Sequence, residues 1–219
     1  PLSSDEYPRL LRAETVSDPP LKLFYRGTGT LDRRQILRIV GTRHITDYGK
    51  EIIENLLADL ARLLPDVLIV SGLAYGVDIH AHRAALAGNL DTIAVLAHGL
   101  DRIYPILHRD TAEQMTQHGG LLTEYFTHTV PDKGNFVRRN RIVAGLSAAT
   151  LVIESADKGG ALITANLAAS YGREVMAYPG RITDRYSAGC NQLIRDNKAT
   201  LVTSAADILS LLRWKAQSG

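Results

Sequence analysis

Five short segments constrain this chain more than anything else in it: 36–42 (ILRIVGT), 67–72 (VLIVSG), 92–99 (TIAVLAHG), 150–155 (TLVIES) and 174–180 (EVMAYPG). Each is apolar on consecutive residues, not on alternate ones. A strand with one wet face alternates, whereas a strand apolar at both parities is covered on both faces. Helical patterns lie between them. In 50–64, Ile52, Ile53, Leu56, Leu57, Leu60, Leu63 and Leu64 recur at helical spacing. Segment 78–88 reads as a helix closed by Gly88, and further helices are expected near 108–118, 161–172, 189–197 and 205–215, with weaker strands at 121–126 and 200–205. Alternation of this kind predicts an α/β fold, a doubly wound, mostly parallel sheet with helices on both faces, over residues 31–219. The first thirty residues carry Tyr7-Pro8 and Asp18-Pro19-Pro20, so we expect an irregular extension packed on that core.

Composition narrows the partners. The 219 residues are 45% apolar and 22% charged, which suits one globular domain with a short extension. The net charge is only +2, so an anion site has to come from local clustering and not from the overall field. One cysteine, Cys190, makes neither an internal disulfide nor a cysteine zinc site, and a reducing cytoplasm is the simplest compartment. No run reaches about 18 apolar residues and the N-terminus has no apolar signal core, so neither a membrane span nor export is expected. The chain opens on Pro1 without a methionine, and we read it as a piece of a longer protein.

In an open parallel sheet, ligands bind beyond the carboxyl ends of the strands. The turns there carry Gly41, Thr42 and Arg43 (VGTRHITDYG, 40–49), Ser71, Gly72 and Gly76 (VSGLAYGVDIHAH, 70–82), Lys158, Gly159, Gly160 and Thr164 (ESADKGGALITA, 154–165), and the YPGRI turn at 178–182. None is G-x-G-x-x-G or a P-loop, and each alone is an ordinary tight connection. Together they describe a rim of free backbone N–H groups with Arg43 and Lys158, suited to phosphates.

Segment 132–147 (DKGNFVRRNRIVAGLS) adds charge to that edge. Arg138, Arg139 and Arg141 fall within four positions around Asn140, at the opening of a helix whose dipole disfavours cations. On a helical wheel Arg138 and Arg141 share one side, while Arg139 falls nearer the apolar arc and needs a partner, either a buried carboxylate or a bound anion. Lys133 and Phe136 precede them. Cations that track phosphates beside a ring that stacks bases fit a single-stranded nucleic acid groove. The plainer alternatives are a solvated patch, salt bridges to Glu124 or Glu154, and Phe136 as a core residue. Catalytic signals are poor. There is no G-x-S-x-G elbow around Ser71, and His80 and His82 stand two apart, wrong for a zinc helix. No metal or other cofactor is expected.

At these motifs the chain resembles the DprA (Smf) family of bacterial DNA-processing proteins. The resemblance rests on IVGTRHITDYG, VSGLAYGVDIHAHRAAL, TIAVLAHGLDRIYP, GGLLTEY, FVRRNRIVAGLS, LVIESADKGGALITANLAASYGREVMAYPG and SAGCNQLIRDNKATLV, in that order over about residues 36–207. It implies an extended Rossmann-like domain that binds incoming single-stranded DNA, protects it and loads the RecA recombinase during natural transformation. It implies a homodimer and no established enzymatic activity. The family's basic pocket falls on Arg43, Lys133, Phe136, Arg139, Asn140 and Arg141, with Ser71, Gly72, Lys158 and Gly160 completing the rim. Thr42 stands where relatives often have Ser, and KGGA where they often have SGS or SGT. The competing resemblance is to nucleotide-binding Rossmann relatives such as the LOG phosphoribohydrolases. Their PGGxGTxxE motif carries a catalytic glutamate where DKGGALITAN has Asn166.

Overall fold

The computed structural model describes residues 1, 3–12, 14 and 16–217; positions 2, 13 and 15 of the expected extension, and 218–219, lie outside the described residues. The strands are β1 (Phe24–Gly27), β2 (Ile36–Val40), β3 (Leu68–Ser71), β4 (Thr92–Val95), β5 (Gly119–Thr123), β6 (Ala149–Val152), β7 (Glu174–Ala177) and β8 (Thr200–Leu201). The helices are α1 (Asp47–Leu63), α2 (Val77–Ala87), α3 (Arg109–Met115), α4 (Lys133–Leu146), α5 (Gly160–Ser170), α6 (Ala188–Arg195) and α7 (Ala205–Leu212).

One sheet runs β1-β5-β4-β3-β2-β6-β7-β8. Only β1 is antiparallel, paired to β5 with Phe24 opposite Thr123, and every other pair is parallel. Strands β2, β3, β4 and β6 are buried along their whole length, as their largely apolar runs predict, with Arg38 the one charged residue among them. On one face Leu37, Ile39, Ile69, Leu151 and Met176 pack with Ile53, Leu57 and Leu60 of α1, Ala81 and Ala85 of α2 and Ile208 of α7. On the other, Ile36, Leu68 and Val70 meet Ile142 and Val143 of α4, while Val40 and Val152 meet Ala161 and Ala165 of α5 and Leu193 of α6.

The N-terminal extension departs from expectation. It packs on the core through Tyr7 and Leu11, but it is not irregular throughout, because residues 24–27 form the edge strand β1. Its burial is only partial and its run is short, so no apolar pattern announced it.

The chain proceeds from β2 outward through β3, β4 and β5, then returns to β2's other flank for β6, β7 and β8. The connections therefore diverge at the carboxyl ends of β2 and β6, which opens a crevice there.

Candidate nucleic-acid interface

A cavity of about 360 Å³ occupies that crevice. The β2–α1 turn supplies Gly41, Thr42 and Arg43; the β3–α2 turn supplies Gly72 and Ala74; the β6–α5 turn supplies Ser155, Gly159 and Gly160; and α4 supplies Phe136, Val137, Arg139 and Asn140.

The turns are braced from beneath. The Thr42 backbone N–H donates to the Glu154 carbonyl at 2.7 Å, and the Thr42 carbonyl accepts from Val77 N–H at 3.1 Å. The buried Glu154 carboxylate accepts from both the backbone N–H and the hydroxyl of Thr46, which also caps α1. Glu154 thus pins the segment that carries Arg43 instead of pairing with an arginine. Gly41 cannot gain a side chain, since a Cβ there would meet the Val77 methyl at 2.5 Å. Asp78, at the start of α2, accepts from the N–H groups of Gly72 at 3.1 Å and Ala74 at 3.3 Å.

Phe136 is half-buried in the cavity lining, close to two guanidiniums. Arg43 lies 5.7 Å and Arg139 5.9 Å from its ring centroid, and Tyr104 tilts against it at 5.9 Å. Arg43 is exposed and makes no ion pair among the described residues. Arg139 is buried, and no carboxylate pairs with it among the described residues. Nη1 donates to the backbone carbonyls of Gly72, at 2.8 Å, and Val95. Burial lowers its pKa, opposed by the nearby Asp78 carboxylate.

Helix α4 begins at Lys133, capped by the Asp132 carboxylate accepting from Asn135 N–H at 2.9 Å. The arginines therefore sit in its second turn and beyond, where the dipole has faded, and the expected conflict at the helix start is removed. Arg138 and Arg141 do not act together at the cavity. Arg141 is held by Asp18 at 3.2 Å and Glu124 at 2.5 Å, which ties the extension to β5 and α4, as the salt-bridge alternative had it. Arg138, Lys133 and Lys158 are exposed and outside the cavity lining. The Ser71 hydroxyl is buried and donates to the Ile39 carbonyl at 2.7 Å, so it braces the sheet and does not face the crevice. Gly160 has open space around its Cα and begins α5, whose first turn has no side-chain cap. Of the expected residues, the cavity brings together Arg43, Gly72, Phe136, Arg139, Asn140 and Gly160.

Three contributors escaped sequence reasoning. Val137 and Ile163 line the cavity although both are largely exposed, at 65% and 62%. Arg38 lines its floor from within β2, where it is 3% exposed. Burial pulls Arg38 down to about 9, opposed by Asp78 and reinforced by Arg139. A guanidinium in the middle of an otherwise apolar run was the available signal. His82 is also buried, but it serves the core: Nδ1 lies 2.7 Å from the Thr92 hydroxyl, and burial holds its pKa down at about 3. Among the described residues no cluster of His, Cys, Asp and Glu is arranged to hold a metal, and no helix is long and apolar enough to cross a membrane.

Comparison with known proteins places this geometry. The family model described as DNA recombination-mediator protein A matches residues 1–213. DNA processing protein DprA of Bacillus subtilis is 40% identical over 213 residues, covering 97% of this chain and 70% of that protein. The X-ray structure of DprA from Streptococcus pneumoniae superposes with a TM-score of 0.88 at 38% identity, covering 94% of this chain and 71% of the other. DNA processing protein A from Helicobacter pylori, whose structure was described for its single-stranded DNA binding mode, gives 0.84 at 32% identity, covering 94% and 92%. The chain spans between about half and 70% of the length of the first curated relatives it matches. With the family model running from the extension to α7, the chain belongs to the DNA recombination-mediator protein A family.

Proposed function

We propose that this chain is the single-stranded DNA-binding core of a recombination mediator. The observation that carries it is the cluster in the crevice lining, where the guanidiniums of Arg43 and Arg139 lie 5.7 Å and 5.9 Å from the centroid of the Phe136 ring. A ring close to cations offers a stacking platform and phosphate neutralisation within one nucleotide's reach. Val137 and Ile163 supply apolar surface beside it for further bases. Cations and a ring act on phosphates and on any base face alike, so binding should be largely sequence-tolerant. The Helicobacter pylori relative, with its described single-stranded DNA binding, supports the same reading.

In this reading Lys133, Arg138 and Lys158 extend the basic track outside the cavity, and Asn140 adds a polar contact. The protein works in the cytoplasm as a homodimer, protects an incoming strand and loads RecA onto it during natural transformation. It binds and does not turn over its ligand. The test is fluorescence anisotropy of labelled oligo-dT against duplex of equal length, followed by RecA ATP hydrolysis on a single strand with and without the chain. Preference for the single strand and faster RecA activation support the proposal. Equal affinity for duplex removes the DNA reading, absence of RecA stimulation removes the loading role, and release of free base from a nucleoside monophosphate would favour the phosphoribohydrolase alternative.

A further inference from the structure

We propose that the floor of the crevice is a subsite for a phosphate monoester, built on Arg38. This rests on the crevice being the DNA site and specifies which part of a strand reaches its depth. Arg38 lies in β2 between Leu37 and Ile39, which face the α1 side, so its own side chain lies on the opposite face with Ile36 and Val40. There it lines the cavity at 3% exposure, and its Nε and Nη1 have no hydrogen-bond partner among the described residues. The Nε of Arg139 is likewise unpartnered. Buried guanidinium donors are costly unless paired, and both sets belong to residues lining the same cavity.

Charge selects the ligand. Arg38, Arg139 and Arg43 bring three positive charges to the cavity, and among the described residues Asp78 is the one carboxylate in its lining. Asp78 already accepts from two backbone N–H groups. The remaining excess of two charges matches a monoester phosphate, which carries about −1.5 to −2 near neutral pH, better than the single charge of a phosphodiester. The uncapped start of α5 at Gly160 and Ala161 adds backbone donors to the same wall. Shape agrees. The floor is β2 itself, hydrogen-bonded to β3 on one side and β6 on the other, so no strand passes through. A dead end suits a terminal phosphate, either of a DNA strand or of a free nucleoside monophosphate.

The experiment titrates the full chain and Arg38→Leu with oligo-dT bearing a 5′-phosphate, a 3′-phosphate or only hydroxyl ends, alongside dTMP and inorganic phosphate read by thermal shift. For the wild type we expect at least fivefold tighter binding of one phosphorylated end than of the hydroxyl-ended strand. Arg38→Leu should bind all strands alike, without preference for a phosphorylated end, and should lose the thermal shift with phosphate. Removing an unpaired buried cation favours folding of that variant, and the wild-type end preference is read without it. Indifference of the wild type both to end phosphates and to dTMP and inorganic phosphate overturns the proposal, as does an end preference that survives in Arg38→Leu. If the wild type binds no strand but phosphate and dTMP still stabilise it through Arg38, the subsite stands and the DNA reading falls. Stabilisation by dTMP with no end preference on DNA assigns the subsite to a free nucleotide and overturns its role at strand ends.

Discussion

Gly72→Ala should damage this protein through Arg139 and through little else. The position has no left-handed backbone requirement, so alanine is conformationally acceptable there. A Cβ would nevertheless come within 2.7 Å of both Cζ and Nη2 of Arg139. The guanidinium cannot simply swing away, because the residue is 5% exposed and its Nη1 is shared between the carbonyls of Gly72 and Val95. A hydrogen bond from a charged donor contributes about 1.5–3 kcal/mol, and the shift weakens two of them. We therefore expect a loss of about 2–4 kcal/mol, a fall in Tm of roughly 4–16 °C for a domain of this size. The assay is a double-mutant cycle by urea or thermal unfolding with Arg139→Met, which replaces the fork with a flexible apolar chain. In that background Gly72→Ala should cost less than about 0.5 kcal/mol, because the atoms it strikes are gone. Additivity of the two changes within about 0.5 kcal/mol would mean that the damage does not pass through Arg139.

Other outcomes follow from the same geometry. Phe136→Ala should weaken single-strand binding by about 1–3 kcal/mol, the cost of losing one stacked base, and anisotropy titrations would show this; an unchanged affinity places the bases elsewhere. Arg141→Met should lower Tm by cutting the ties to Asp18 and Glu124, while strand affinity at constant temperature stays within about twofold; a large affinity loss without a Tm change would return Arg141 to the binding site. His82 titrates at about 3 in the folded chain against an ordinary 6.5, so the unfolded chain binds more protons between those values and stability falls as pH drops below 6.5. At pH 5.0 its share is about 2 kcal/mol, and His82→Gln should flatten the fall in Tm between pH 7 and pH 5 by roughly 4–8 °C.

Much of the sheet was legible because its strands are buried on both faces and so lack the alternation that mimics other structures. The edge strand β1 was not, since Phe24–Gly27 is half-buried and pairs with β5, nearly one hundred positions away. The site was legible where backbone chemistry demanded it. Arg43 stands two positions after Gly41, which Val77 and Glu154 crowd, and Gly72 is the surface on which Arg139 lies. It was illegible where the partner came from distant sequence. Helical spacing put Arg141 beside Arg138, but Asp18 and Glu124 claim Arg141. Arg139 found carbonyls, which no side-chain pattern records. Arg38 was hidden by the apolar residues on either side of it, although a charge inside a buried strand was the most unusual substitution for such a run.

In the proposed complex a single strand lies across the crevice at Arg43 and Phe136. The most direct test is the salt dependence of oligo-dT binding for the wild type and Arg43→Ala. If Arg43 neutralises one phosphate, the log–log slope should be shallower by about 0.7 in the variant, with weaker binding at every salt concentration and duplex of equal length bound poorly throughout. Parallel slopes and equal affinities for the two proteins would move the DNA path away from the crevice.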